Sequence, residues 1–314
     1  MVHPKPKVKL PRKQINNCLA TFLAMLMAAS TLTAQSRHSS RGAGDLEGTV
    51  IPVTAWRTDE KKDPIKLESL FLYENGIEQK IINFSYDPSP SKIAILVDNS
   101  QTLPTDVEKM KAATMEFAYE IFEGDQLFVL AYDEKTEIIQ EWTDDAKKLE
   151  TSLATFRKKG NPFLFDALRS TAGEVLLPLM PGTRKTAIVV IGDGLDRGST
   201  TKFDNILGEL QNYNITVYFL QIPDRSAGAY RRDQPKASAV VTQLTEGTGG
   251  KAFPLEEAQT AAKFICDELR RNRFLLSYQP VNTSTFDARR VLLTADQGIA
   301  VRHKTAQPPN IKAN

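Results

Sequence analysis

The middle of the chain changes its hydrophobic period repeatedly. Lys92-Ile-Ala-Ile-Leu-Val-Asp98 is a short unbroken apolar run ending in a carboxylate, the pattern of a strand buried on both faces. Val107, Met110, Thr114, Phe117 and Ile121 then recur at spacings of three and four, which defines one stripe of a helix. Gln126–Asp133 and Glu137–Trp142 read as strands. Asp145–Phe156 and Phe163–Leu177 read as helices, the second ended by Pro178. Lys185-Thr-Ala-Ile-Val-Val-Ile-Gly192 is a second buried strand, and it too runs into a carboxylate, Asp193. Phe203–Tyr213 reads as helix, Ile215–Ile222 as strand and Ala237–Leu244 as helix. Gly250–Phe253 follows as a short strand and Leu255–Asn272 as a long amphipathic helix. Strands alternating with helices over residues 91–272 predict an α/β domain, a doubly wound, mostly parallel sheet covered on both faces.

The flanks carry a different pattern. Leu46–Thr58 and Glu68–Phe84 are short, β-branched and aromatic, with an Asn75–Gly76 turn that signals a hairpin. Arg273–Gln279, Ala288–Ala295 and Ile299–His303 are also strand-like. Neither flank alone has enough strands to bury a core. Residues 45–90 and 273–306 are therefore expected to pair into one small antiparallel sandwich with the α/β domain inserted between its halves, leaving 307–314 as a tail. The other arrangement is two separate hairpins packed on the central domain.

Composition narrows the function. With 41% hydrophobic and 25% charged residues the chain has the balance of a globular protein, and its net charge of +2 gives no sign of nucleic-acid binding. The three histidines, His3, His38 and His303, lie towards the chain ends, which argues against a histidine triad or a zinc cage. Two cysteines, Cys18 and Cys266, make no disulfide framework, and Cys266 reads as a core residue beside Ile265 and Leu269. Residues 1–34 combine Lys5, Lys7, Lys9, Arg12 and Lys13, an apolar run to Ala29 and a small-residue exit at Ala34. This is the pattern of a secretory signal peptide, followed by a linker over 35–44. The expected localisation is secreted or periplasmic, in the cell envelope; the alternative is an uncleaved membrane anchor. Cleavage would remove five cations and leave 35 Lys and Arg against 38 acids, near −3.

The candidate chemistry lies at the two strand ends, where functional groups of open α/β sheets collect. Asp98-Asn99-Ser100-Gln101-Thr102 follows the first buried strand and leads to a helix expected near Pro104. Asp, Ser and Thr at alternate positions put three oxygen donors on one face of the loop, a set suited to a hard cation such as Mg²⁺. The plainer reading makes Ser100 or Thr102 a helix cap. A second strand-end carboxylate, in Gly192-Asp193-Gly194, favours the cation.

At these residues the chain resembles the von Willebrand factor A (VWA) domain with its metal-ion-dependent adhesion site (MIDAS). Asp98, Ser100 and Thr102 match that family's Asp-x-Ser-x-Ser/Thr motif, and Asp193 matches the aspartate of its Thr/Gly-Asp-Gly turn. From about Gly48 to His303 the chain is similar, more specifically, to the VWFA-related domain proteins known chiefly from acidobacteria. Those share a signal peptide, a segment like Leu70-Phe-Leu-Tyr-Glu-Asn-Gly-Ile-Glu-Gln-Lys-Ile-Ile-Asn-Phe84 and a tail like Arg273-Phe-Leu-Leu-Ser-Tyr-Gln-Pro280. The resemblance implies a non-enzymatic adhesion module. Ser100 and Thr102 would touch a divalent cation (Mg²⁺, or Mn²⁺ or Ca²⁺), Asp98 and Asp193 would bind it or hold its waters, and a partner protein would supply an acidic side chain.

One position departs from the family. Where its loop before the third helix gives a threonine ligand, this chain has Gly160-Asn161-Pro162-Phe163-Leu164-Phe165-Asp166, and Pro162 has no side-chain oxygen. Asn161 and Asp166 are the substitutes to consider, with Asp166 the better structural residue. Asp196 and Ser199 are either rim residues or caps of the following helix, with capping preferred. The basic group Arg225, Arg231 and Arg232, like Lys61–Lys62, reads as solvated surface. Trp56 and Trp142 read as packing residues, and Asp144–Asp145 and Glu256–Glu257 as acids at helix starts. Two other functions stand beside adhesion. One is a metal-free envelope scaffold, for which Pro162 speaks. The other is a phosphatase, since Asp98-x-Ser-x-Thr102 resembles the Asp-x-Asp-x-Thr loop of haloacid-dehalogenase-type enzymes, but Ser100 stands where their general acid should be.

Overall fold

The computed structural model describes residues 48–180, 182–223, 234–282 and 287–309. The expected signal peptide and linker, the Arg225–Arg232 group and residues 310–314 lie outside the described residues. The central sheet is built from β5 (Lys92–Asp98), β6 (Gln126–Tyr132), β7 (Thr136–Thr143), β8 (Thr186–Gly192), β9 (Thr216–Gln221) and β10 (Ala252–Pro254), in the order β10-β9-β8-β5-β6-β7. Every neighbouring pair is parallel except β6–β7, which closes one edge as an antiparallel hairpin. The helices are α1 (Val107–Glu120), α2 (Ala146–Leu153), α3 (Leu164–Ser170), α4 (Phe203–Asn212), α5 (Ala237–Thr248) and α6 (Ala258–Arg271).

The unbroken apolar runs are explained by two-sided cover. Ile93, Ile95 and Val97 of β5 join Val189 and Ile191 of β8 under α1, α2 and α6. The alternate residues Ala94, Leu96, Ile188 and Val190 pack under α3, α4 and α5. The expected doubly wound sheet is thus the one observed. Cys266 sits in the first of these cores, where burial pushes its thiol up, away from the reactive thiolate.

The flanks form two antiparallel sheets. One has the order β13-β1-β11-β4, from β13 (Ile299–His303), β1 (Thr49–Arg57), β11 (Arg273–Tyr278) and β4 (Ile81–Tyr86). The other has the order β14-β12-β2-β3, from β14 (Ala306–Gln307), β12 (Arg289–Ala295), β2 (Leu70–Glu74) and β3 (Ile77–Gln79). Ile51, Val53, Leu72, Leu276, Tyr278, Val291 and Leu293, from both sheets and both flanks, share one core. The flanks therefore pair as one sandwich rather than as separate hairpins. Asn75 and Gly76 both take positive φ, 49° and 81°, as the tight turn between β2 and β3 requires.

Three details differ from the sequence reading. The helix expected over Phe163–Leu177 is α-helical only to Ser170. It continues as a π turn, Thr171–Leu176, and then a 3-10 turn, Leu177–Leu179, which contains Pro178. Proline is tolerated in such a first turn because its missing N–H has no partner to lose there. The strand β14 runs to Gln307, one residue into the segment read as tail, and pairs with Arg289 and Arg290. The helix expected near Pro104 begins only at Val107.

A buried polar network ties the sandwich to the α/β body. Glu268 of α6 accepts hydrogen bonds through Oε1 from the Thr54 hydroxyl (3.0 Å) and the Tyr218 hydroxyl (2.7 Å). Its other oxygen is ion-paired with Arg302 of β13, whose guanidinium lies over the rings of Trp56 and Phe264. Arg273 donates to Thr54 Oγ1 (3.2 Å) and to Thr216 Oγ1. The two chain crossings between sandwich and body meet where the Asp87 N–H donates to the Arg273 carbonyl at 2.9 Å.

Candidate metal centre at the strand-end face

β5 and β8 are adjacent and parallel, so their carboxyl ends reach the same edge of the sheet. The register pairs Val97 with Ile191, which sets Asp98 beside Gly192 and one residue from Asp193. Asp98, Ser100 and Asp193 are fully buried and Thr102 is exposed. Each aspartate turns back on its own loop: Asp98 Oδ1 accepts from the Ser100 N–H at 2.8 Å, and Asp193 Oδ1 from the Leu195 N–H at 3.1 Å. Such Asx turns fix the carboxylates without a helix.

The approach of the two strand ends depends on glycine. A Cβ at position 192 would lie 3.2 Å from Asp98 Cβ and 3.1 Å from the Tyr132 hydroxyl, tighter than ordinary contact. Tyr132 ends β6 and is paired in register with Asp98. Gly192 stands in the Gly192-Asp193-Gly194 motif and Tyr132 is new to the site, and together they shape the floor around Asp98. The cap reading of Ser100 and Thr102 is corrected: α1 is capped by Asp106, which accepts from the Lys109 N–H at 2.7 Å.

The donor set fits a hard cation in kind, with two carboxylates and two hydroxyls, all oxygen. Among the described residues no group of three or more His, Cys, Asp or Glu forms a metal cluster, so any site here depends on the hydroxyls. The 160–166 loop adds no evident ligand. Pro162 is buried and its carbonyl accepts from the Arg197 N–H at 2.8 Å. Asn161 is exposed and donates to Glu134 Oε1 at 2.9 Å. Asp166 accepts from the N–H groups of Thr200 (2.9 Å) and Thr201 (2.8 Å). Desolvation works against its charge, but hydrogen bonds from Thr201 and Thr200 outweigh it and hold the carboxyl below its ordinary range.

Asp196 is a cap, though not of the helix that follows it. It is buried and accepts from the Phe165 N–H (3.2 Å), at the start of α3, and from Ser199 Oγ (2.5 Å) and Gln234 Nε2 (3.1 Å). Desolvation raises its pKa, and these hydrogen bonds oppose the rise. Ser199 Oγ in turn accepts from the Asp166 N–H at 3.0 Å. With its oxygens committed to the Phe165 N–H of α3, to Ser199 and to Gln234, Asp196→Ala is expected to lower stability by about 1–2 kcal/mol, the loss of a helix cap, and to leave Mn²⁺ titration unchanged. A weakened titration at full stability would make it a rim ligand instead.

No family model matches the chain, and no curated protein matches it. Solved structures similar to it include an aerotolerance-related membrane protein from Bacteroides fragilis, at 19% identity over 58% of this chain and 99% of that one, with a TM-score of 0.45. A von Willebrand factor type A structure from Catenulispora acidiphila is similar at 9% identity, over 71% of this chain and 67% of that one, with a TM-score of 0.46. Proximal thread matrix protein 1 from the mussel byssus, with a zinc-occupied MIDAS motif, is similar at 11% identity over 63% of this chain and 49% of that one, with a TM-score of 0.45. Von Willebrand factor A structures are thus among those similar to this chain.

Proposed function

We propose that the chain is an exported protein-binding module of the VWA type, which engages an acidic side chain of a partner through a divalent cation at the strand-end face. The observation that carries this reading is the juxtaposition of two buried carboxylates, Asp98 and Asp193, at the ends of adjacent parallel strands, with buried Ser100 beside Asp98. Ser100 and Thr102 would hold Mg²⁺, Mn²⁺ or Ca²⁺ through their hydroxyls, and Asp98 and Asp193 would bind it or orient its waters. The cation, when bound, supplies a positive anchor for a carboxylate. Surrounding contacts then decide which partner is held. No residue is asked to transfer a proton, and Ser100 cannot replace the acid that phosphatase chemistry needs. Export rests on the pattern of residues 1–34. No helix among the described residues is long and apolar enough to cross a membrane.

The second reading, a metal-free envelope scaffold, is favoured by Pro162, whose position offers no side-chain donor and whose carbonyl is already bonded to Arg197. Calorimetric titration separates the two. Mg²⁺ and Mn²⁺ are expected to bind the purified protein saturably and to raise its melting temperature, with both effects lost in an Asp98→Ala/Asp193→Ala variant. No heat and no shift in the unaltered protein would sink cation-dependent adhesion and leave the scaffold.

A further inference from the structure

The loop that carries Asp98, Ser100 and Thr102 runs from the end of β5 to the start of α1. It is knitted along one side to residues 157–160, a segment anchored before by buried Phe156 and after by buried Pro162. The Lys159 N–H donates to the Asn99 carbonyl (2.7 Å), the Gln101 N–H to the Gly160 carbonyl (3.2 Å), and Asn99 Nδ2 to the Arg157 carbonyl (3.2 Å). The half-buried ammonium of Lys158 then reaches across and donates to the carbonyls of Leu103 (2.5 Å) and Thr105. These carbonyls lie in the turn between Thr102 and the Asp106 cap of α1. An ammonium has three donors, enough to bond both.

We propose that Lys158 is a positioning residue of the strand-end site: it fastens the 98–105 loop to the 157–160 segment, so that the oxygen donors are held in place before a ligand arrives. The purpose of this fastening rests on the proposed cation site; the fastening itself does not. A loop that must be ordered on binding weakens its ligand in proportion to the fraction of time it is disordered. If loss of the ammonium makes the ordered loop a one-in-ten state, apparent cation affinity falls tenfold.

The test is amide hydrogen exchange and Mn²⁺ titration on the unaltered protein, Lys158→Met and Lys158→Arg. In Lys158→Met the Gln101 and Lys159 amides are expected to lose nearly all their protection, exchanging at least tenfold faster, while amides of β5 and β8 keep theirs. Mn²⁺ affinity is expected to fall about tenfold, and Lys158→Arg to restore both. Unchanged exchange at Gln101 and Lys159 would overturn the proposal. So would faster exchange spread through β5 and β8, which marks a general folding role, or a loosened loop that binds Mn²⁺ as tightly as before. If the unaltered protein takes no Mn²⁺, the proposed cation site falls, and the exchange data alone decide whether Lys158 fastens the loop.

Discussion

Glu268→Ala is expected to lower the stability of the protein by about 3–5 kcal/mol, read as a fall in the urea midpoint. That is the range for breaking a buried ion pair by removing one member. The variant would leave the Thr54 and Tyr218 hydroxyls without their acceptor and Arg302 without its carboxylate. Burial raises the Tyr218 pKa, so the phenol stays protonated and cannot itself neutralise the arginine. The penalty comes from uncompensated charge and polarity rather than lost area, so the pair should be cheaper to remove whole. Glu268→Leu with Arg302→Met is expected to recover most of the loss. Equal destabilisation in the single and double variants would instead make Glu268 a packing residue. Trp56 lies in the sandwich beneath Arg302 and Trp142 packs on Phe128 in the central sheet. Fluorescence of each, in a variant lacking the other, would show whether the sandwich detaches first when Glu268 is gone.

None of this network is visible in the sequence. Glu268 lies in a segment that reads as an amphipathic helix, and Arg273 and Arg302 in segments that read as strands, and neither pattern marks a partner. What was legible was periodicity set by cover. β5 and β8 are unbroken apolar runs because helices lie on both faces, and β12 alternates because one face looks out. Asn75–Gly76 was legible because few residues take positive φ. The π turn after Ser170 is a choice of backbone hydrogen-bond partner, which side-chain spacing does not encode, and a two-residue strand such as β14 is too short to have a period.

The candidate site divides in the same way. Asp98 and Asp193 could be found because each ends a hydrophobic strand, and an aspartate there breaks the pattern. Gly192 lay within a motif, but its reason, the approach of Asp98 and Tyr132, is tertiary. Asp196 followed a local rule that points to the next helix, whereas the fold brings it to the start of α3, thirty-odd residues earlier in the chain. Lys158 stands in Arg157-Lys158-Lys159, which reads as a solvated run. Its partners are backbone carbonyls, and carbonyls leave no mark in a sequence.

Between pH 7 and 9 the protein is expected to become more stable, by about 2–3 kcal/mol from the titration of Lys304 alone. Lys304 is buried, and its Nζ donates to the Gln211 carbonyl (2.7 Å) and Asn214 Oδ1 (2.6 Å) at the end of α4. Asn214 also donates through Nδ2 to the Val50 carbonyl of β1 (3.2 Å), so this lysine sits where sandwich and body join. Desolvation, with a smaller contribution from Arg289 and against the pull of Glu74, lowers its pKa to about 7. The unfolded chain holds that proton up to about pH 10.4. Across the window between the two values the unfolded state binds the extra proton, so stability rises with pH and is lost as pH falls towards 7. A neutral amine has two N–H donors for its two acceptors, so deprotonation leaves both bonds in place. Above about pH 8.5 Cys266 opposes this rise. Burial raises the pKa of Cys266 in the fold, and the unfolded chain then sheds a proton that the folded thiol keeps. Below pH 6.5 His303 acts in the same direction as Lys304. Burial lowers its pKa, and its Nε2 accepts the Leu293 N–H at 3.0 Å, a bond that protonation removes. Lys185 and Lys92 are also lowered by burial and share the sign, so the measurement is a difference. Urea unfolding at pH 7, 8 and 9 is expected to show a flatter rise in Lys304→Met than in the unaltered protein. Parallel curves would mean that Lys304 keeps its proton in the fold and that the junction is held by a charged lysine.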